Sequence, residues 1–134
     1  MDNIALDTNI LVYLFDATND KKRTTSEELL ILHPFISSQV VSEYFNVSKR
    51  LLKLPKKLVF EKCLRVFRHC IINPVIFDTL VLAKELIRKY DFQIFDAIII
   101  SSALQADCTI LYSEDLQTNQ IIEGSLSIKN PFTL

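Results

Sequence analysis

The sequence predicts an α/β domain, a mainly parallel sheet covered by helices on both faces, and three observations carry that expectation. Short apolar runs alternate along the chain with segments of amphipathic helical spacing, the pattern of parallel strands joined by helical crossovers. The 134 residues, 49% of them hydrophobic, suit a single domain (1–134) with one core. The opening stretch MDNIALDTNILVYLFD passes from one apolar run, Ile4 to Leu6, through Asp7-Thr8-Asn9 into a second, Ile10 to Phe15. That is how a buried strand feeds a helix.

Asp7 sits at that hinge among apolar neighbours, where an unsatisfied carboxylate is costly. It can be satisfied as a helix N-cap, or by holding a cation at the carboxyl end of a strand, where open α/β sheets place their ligands. The first stretch alone leaves both readings open.

After a polar turn from Asp16 to Asp20, residues 21–32 read as a helix with Leu29, Leu30 and Leu32 inward, ended by Pro34. Phe35 and Ile36 make a minimal strand. Ser37 or Ser38 can cap the next helix, about Gln39 to Lys53. Its stripe is Val40, Tyr44, Val47 and Leu51, with Val41, Phe45 and Leu52 beside it. Glu43 lies on the edge of that stripe, a place usually taken by a solvated carboxylate. Pro55 fits the start of a further helix, with Leu58, Val59, Cys63, Leu64, Val66, Phe67 and Cys70 as its apolar face. The segment 71–77 contains Pro74 and is at best a short edge strand. Asp78 reads as the N-cap of a helix from Thr79 to Tyr90, with Leu80, Leu82, Ala83, Leu86 and Ile87 inward.

In DFQIFDAIIISSALQADC, Phe95, Ile98, Ile99, Ser102 and Ala103 share a helical face, and Asp96 falls in the first turn. The helix dipole favours an acid there, yet the apolar flanks argue against full solvation. Thr109 to Tyr112 is a compact strand, with Ser113, Glu114 and Asp115 at its carboxyl end, repeating the placement of Asp7. Ile121, Ile122, Leu126 and Ile128 supply a last weak strand pair around Gly124, the only glycine. Because all carboxyl ends of a parallel sheet share one edge, Asp7, Glu43, Asp96 and Asp115 are expected to converge.

Composition narrows the classes. No apolar run reaches membrane-spanning length, and the N-terminus lacks the basic region of a signal peptide. Three cysteines without a framework point to reduced thiols and a cytoplasmic protein. His33 and His69 lie far apart and there is no Cys-x-x-Cys, which argues against structural zinc. Charge is lopsided. Between Lys49 and Arg68 stand eight basic residues and one acid, Glu61, whereas from Asp91 onward there are six acids and only Lys129. A charge run is ordinarily a solvated helix face. The functional reading is a phosphate-gripping arm beside an acidic pocket, with Lys49, Lys53 and Lys57 as its candidate phosphate-binding residues.

Four converging carboxylates repel one another by several kcal/mol at an effective dielectric near ~20, and a divalent cation removes that penalty. An all-oxygen set selects Mg2+ or Mn2+ over zinc, and such a site suits phosphodiester hydrolysis.

The blocks Leu6-Asp7-Thr8-Asn9, Ser38-Gln39-Val40-Val41-Ser42-Glu43, Phe95-Asp96-Ala97-Ile98-Ile99 and Tyr112-Ser113-Glu114-Asp115-Leu116-Gln117 closely resemble the four blocks of the PIN-domain nucleases. The closing Ile121-Ile122-Glu123-Gly124 and Asn130-Pro131-Phe132 resemble the ending of VapC-type toxins of toxin–antitoxin pairs. The resemblance spans essentially the whole chain. It implies a PIN fold, a Rossmann-like three-layer α/β/α sandwich, and an endoribonuclease dependent on magnesium or manganese. It maps Asp7, Glu43, Asp96 and Asp115 onto the family's acidic quartet, with Asp7 and Asp96 as central metal ligands and Glu43 and Asp115 completing the shell. Thr8, Asn9 and Ser113 match polar positions that steady the acids. It further implies a homodimer and a small protein antitoxin. Relatives often carry His-Gly where this chain has Thr118-Asn119, and Asn tolerates the left-handed conformation such a turn needs.

Three alternatives compete. One is a PIN-like RNA-processing nuclease that is not a toxin. Another is a magnesium-binding receiver-type signalling domain, which needs a Lys after a late strand, whereas Thr109–Tyr112 is followed by Ser-Glu-Asp. The last is a binding module whose acids are only caps and surface charges, which requires four accidents in register.

Overall fold

The structure, a computed structural model, describes residues 2–133; Met1 and Leu134, the ends of the expected domain, lie outside the described residues. In chain order the elements are β1 (Ile4–Leu6), α1 (Thr8–Val12), a 3-10 turn over Tyr13–Phe15, α2 (Asp20–Leu30), β2 (Phe35–Ser37), α3 (Ser38–Leu52), α4 (Lys56–Phe67), β3 (Ile71–Asn73), α5 (Phe77–Tyr90), α6 (Ile94–Gln105), β4 (Ile110–Tyr112), β5 (Ile121–Ile122) and β6 (Leu126–Lys129). The strands form one sheet in the order β3-β2-β1-β4-β6-β5. Every pairing is parallel except β5 with β6. The expected fold class is borne out.

The chain moves outward from β1 to β3 and then returns to the other side of β1 for β4. Right-handed crossovers therefore carry α1 to α4 over one face and α5 and α6 over the other. The reversal between β1 and β4 is a switch point, where the two outgoing loops part and leave a crevice. The register pairs Leu6 with Tyr112, so Asp7 and Ser113 leave the sheet side by side. β1 and β4 are buried on both faces, and the core fills with Leu6, Ile10, Leu11, Ile36, Val40, Tyr44, Leu86, Ile100, Leu111 and Ile128.

Caps set the helix boundaries. Ser37 Oγ accepts the Val40 N–H at 3.1 Å and caps α3, while Ser38 Oγ accepts the Val75 N–H at 2.9 Å and ties down the strand-to-helix connection instead. Asp78 is not the cap of α5. Ile76 occupies that position, Asp78 lies in the first turn, and Thr79 Oγ1 accepts the Ile76 N–H at 3.1 Å. The apolar Phe77 extends the helix by one residue ahead of the acid. Helices α2, α3, α5 and α6 are followed by residues with left-handed backbone, His33, Lys53, Asp91 and Asp107, at φ of 55°, 52°, 59° and 56°. Asn119 is left-handed as well, at φ 68°, as expected of the turn in which it replaces glycine.

Several positions expected to face inward lie outside. Leu32, Leu51, Leu58, Leu64, Leu80 and Phe95 are all exposed. Leu32 falls in the turn after α2, and the other five lie on helix sides that no second element covers. Cys63, Cys70 and Cys108 are free thiols, the first and last buried. Burial pushes Cys70 and Cys108 each up to about 12, which makes them inert core groups. Among the described residues no helix is long and apolar enough to cross a membrane.

Replacing Ser37 with Ala removes the α3 cap. The expected loss is about 1 kcal/mol of unfolding free energy by urea titration, with helix content unchanged. An unaltered urea midpoint would show that the cap bond contributes nothing.

Candidate functional site

Asp7 is the N-cap its position allowed. With extended backbone it caps α1, its Oδ1 accepting the Thr8 N–H at 2.7 Å. Its Oδ2 accepts from Ser113 Oγ at 2.8 Å and Asn9 Nδ2 at 3.3 Å. At the same time it lines an open cavity of about 340 Å³ at the switch point. Burial pushes its carboxyl up to about 6. The Ser113 and Thr8 hydrogen bonds pull the other way, and the nearby charges of Glu43 and Asp96 push it further up.

The other three acids line the same cavity. Glu43 comes from α3 and accepts from Thr8 Oγ1 at 3.1 Å. Asp96 comes from the first turn of α6, half-buried; burial raises its pKa, and the charge of Asp115 raises it further. Asp115 is exposed on the loop after β4. The structure thus brings Asp7, Glu43, Asp96 and Asp115 to one crevice from four separate elements. It does not pack them into a closed cage: among the described residues no three His, Cys, Asp or Glu side chains stand close enough together to surround an ion.

Thr8, Asn9 and Ser113 do what polar neighbours of a buried acid must. Ser113 is fully buried; besides donating to Asp7, its Oγ accepts the Asp115 and Leu116 N–H groups at 3.3 and 3.2 Å. Asn9 also reaches Ser113 Oγ, at 3.4 Å, and its Oδ1 accepts the Glu114 N–H at 3.0 Å. Glu114 in turn accepts from Tyr13 Oη at 2.6 Å and pairs with Lys22 Nζ at 2.5 Å. The loop bearing Asp115 is therefore fastened to α1 and α2.

One polar cavity residue, Asn46, escaped the sequence reading, and Arg50 entered it only as one of the eight basic residues of the Lys49–Arg68 run. The signal was present, since residues 43, 46, 47 and 50 follow one face of α3. Asn46 and Arg50 are exposed, as are Lys49, Lys53 and Lys57, but none of the three lysines lines this cavity. A count of charges along a helix does not say which face carries them.

An open, mainly parallel α/β sheet with a carboxylate-lined crevice at its switch point defines the class of molecule. Residues 4–122 match the PIN domain family, and the chain belongs to that family. In fold it is similar to a toxin–antitoxin complex from Klebsiella pneumoniae, with TM-score 0.72 and 20% identity over 96% of this chain and 97% of that one. It is also similar to DNA-bound VapBC from Salmonella typhimurium, with TM-score 0.71 and 16% identity over 98% and 99%. A further likeness is to the sarcin–ricin-loop-cleaving toxin VapC20 of Mycobacterium tuberculosis, with TM-score 0.65 and 18% identity over 84% and 92%. Among curated proteins none matches the sequence. At these identities the structural likeness is one of fold; the match over residues 4–122 bears out the PIN-domain resemblance carried by the four sequence blocks.

The raised Asp7 pKa has a signed consequence. Its ionised form is disfavoured in the native state, so its stabilising contribution is complete below about pH 4 and is lost as pH rises through about 6. The span is ~3 kcal/mol at most. In chelator, urea midpoints should fall between pH 4 and pH 7, and Asp7→Asn should flatten that slope. An equal slope in both proteins would place the titration elsewhere. Ser113→Ala removes a donor to Asp7 and should steepen the fall and lower stability at pH 7 by about 1–2 kcal/mol.

Proposed function

We propose that this PIN domain is a metal-dependent endoribonuclease and the toxin of a toxin–antitoxin pair. The observation that carries the reading is the gathering of Asp7, Glu43, Asp96 and Asp115 along one crevice. Asp7 is held by three hydrogen-bond donors yet still raised to about 6 by burial and like charge. The donor set is all oxygen, without His or Cys, and fits magnesium or manganese.

Asp7 and Asp96 would hold the ion, with Asp115 and Glu43 completing the set. When bound, it supplies an activated water and neutralises charge on the phosphate. The chain does the rest. Ser113 and Asn9 fix the rotamer of Asp7, and the Thr8 hydroxyl fixes Glu43. Glu43, steadied in this way on the crevice wall, would help activate the attacking water by accepting its proton. Asp115 faces solvent, where the strand would enter. The partner named with the similar Klebsiella and Salmonella proteins supports the toxin reading over a non-toxin RNA-processing nuclease. The antitoxin would be a small protein filling the crevice. The chain would work as a single domain in the cytoplasm and as a homodimer.

Purified protein should cleave RNA in magnesium and stop in EDTA. Asp7→Asn and Asp96→Asn should each reduce cleavage by at least about 10²-fold without loss of fold. Undiminished cleavage by both variants would reject the reading. Magnesium at pH 7.5 should also raise the melting temperature of the wild-type protein and not that of Asp7→Asn.

A further inference from the structure

Arg50 is the one cationic side chain that lines the carboxylate crevice. It stands seven residues after Glu43 on the same face of α3, about 10 Å further along the helix axis. An arginine beside four acids would be expected to pair with one of them. Among the described residues it makes no ion pair; all the pairs formed lie elsewhere. Its helix holds it at the far end of the crevice, with Asn46 and Val47 between it and Glu43. A guanidinium in that position, charged and without a carboxylate partner, presents a fork of donors to whatever enters the crevice. Phosphate is the anion whose geometry that fork matches in two parallel hydrogen bonds.

We propose that Arg50 is the substrate-gripping residue of the crevice. It takes a phosphate of the RNA strand displaced along the backbone from the one held at the carboxylates, and so sets the register in which the strand lies over them. The inference rests on the nuclease reading and deepens it. It moves the electrostatic grip from the outward-facing Lys49, Lys53 and Lys57 to one side chain inside the crevice. An extended single strand suits this geometry, because two anchor points along one backbone fix its direction as well as its position.

The test uses the full chain and a short single-stranded RNA. Binding is measured in magnesium across a salt series, in the Asp96→Asn background that suppresses cleavage. Adding Arg50→Gln should weaken binding by about tenfold and lower the salt slope by about 0.7, one phosphate contact on a single strand. Arg50→Lys should restore the slope but only part of the affinity, since it keeps the charge and loses the fork. Lys84→Gln, on α5 and outside the crevice, should change affinity by less than about twofold. In cleavage assays with otherwise wild-type protein, Arg50→Gln should raise KM more than it lowers kcat. It should leave the magnesium concentration for half-maximal rate unchanged. Equal affinity and slope with and without Arg50 would overturn the proposal while wild-type cleavage leaves the nuclease reading standing. A shift in magnesium dependence alone would make Arg50 a counter-charge for the acids and also overturn it. Failure of every form to bind or cut RNA would sink both.

Discussion

The buried carboxylate of Asp7 is the constraint that the crevice is built around. A charge at the end of a central strand is costly unless it is solvated from within. Here the solvation is supplied by the backbone of Thr8, the hydroxyl of Ser113 and the amide of Asn9. Two of those donors belong to the residues that follow β1. The third arrives only because β4 pairs with β1 in a register that sets Ser113 beside Asp7. Sheet order, strand register and the polarity of two loops are thus one solution to one electrostatic problem. The solution is incomplete, since burial and the nearby charges of Glu43 and Asp96 leave the Asp7 carboxyl raised.

The hydrogen bonds radiate from that point. Ser113 turns the loop toward Asp115, Asn9 holds Glu114, and Glu114 is clamped by Tyr13 and Lys22. Lys22 also lies over the rings of Tyr13 and Phe132, 4.7 and 5.1 Å from their centroids, and those rings meet edge to face at 5.0 Å. An exposed acid such as Asp115 is thereby carried on a loop with fixed ends. Rigidity of this kind keeps acids on four elements at useful separations without their touching.

Much of this was legible in the sequence. The apolar runs gave β1 and β4 because strands buried on both faces read as continuous hydrophobic stretches. The carboxylates after them were legible because a strand end fixes where the next side chain goes. What failed has a common cause. Helical periodicity tells which side of a helix is apolar, not whether another element covers it, so Leu51, Leu58, Leu64, Leu80 and Phe95 were expected in the core and stand outside it. For the same reason the charge run does not show that Arg50, rather than Lys49, Lys53 or Lys57, lines the crevice. Asp78 was misread because an acid near a helix start can serve the dipole from inside the first turn as well as the cap.

The left-handed residues that close four of the helices have a consequence for the molecule's tolerance of change. With one glycine in the chain, those exits are made by His33, Lys53, Asp91 and Asp107, at conformations disfavoured for a side chain bearing a β-carbon. Aspartate and histidine tolerate the geometry better than lysine does. The turns are therefore held in place by the packing of the helices they end rather than by their own preferences. Glycine at His33 or Lys53 would relax the corner but also loosen the unfolded chain. The present residues leave the fold with stiff corners whose local strain the surrounding packing must offset.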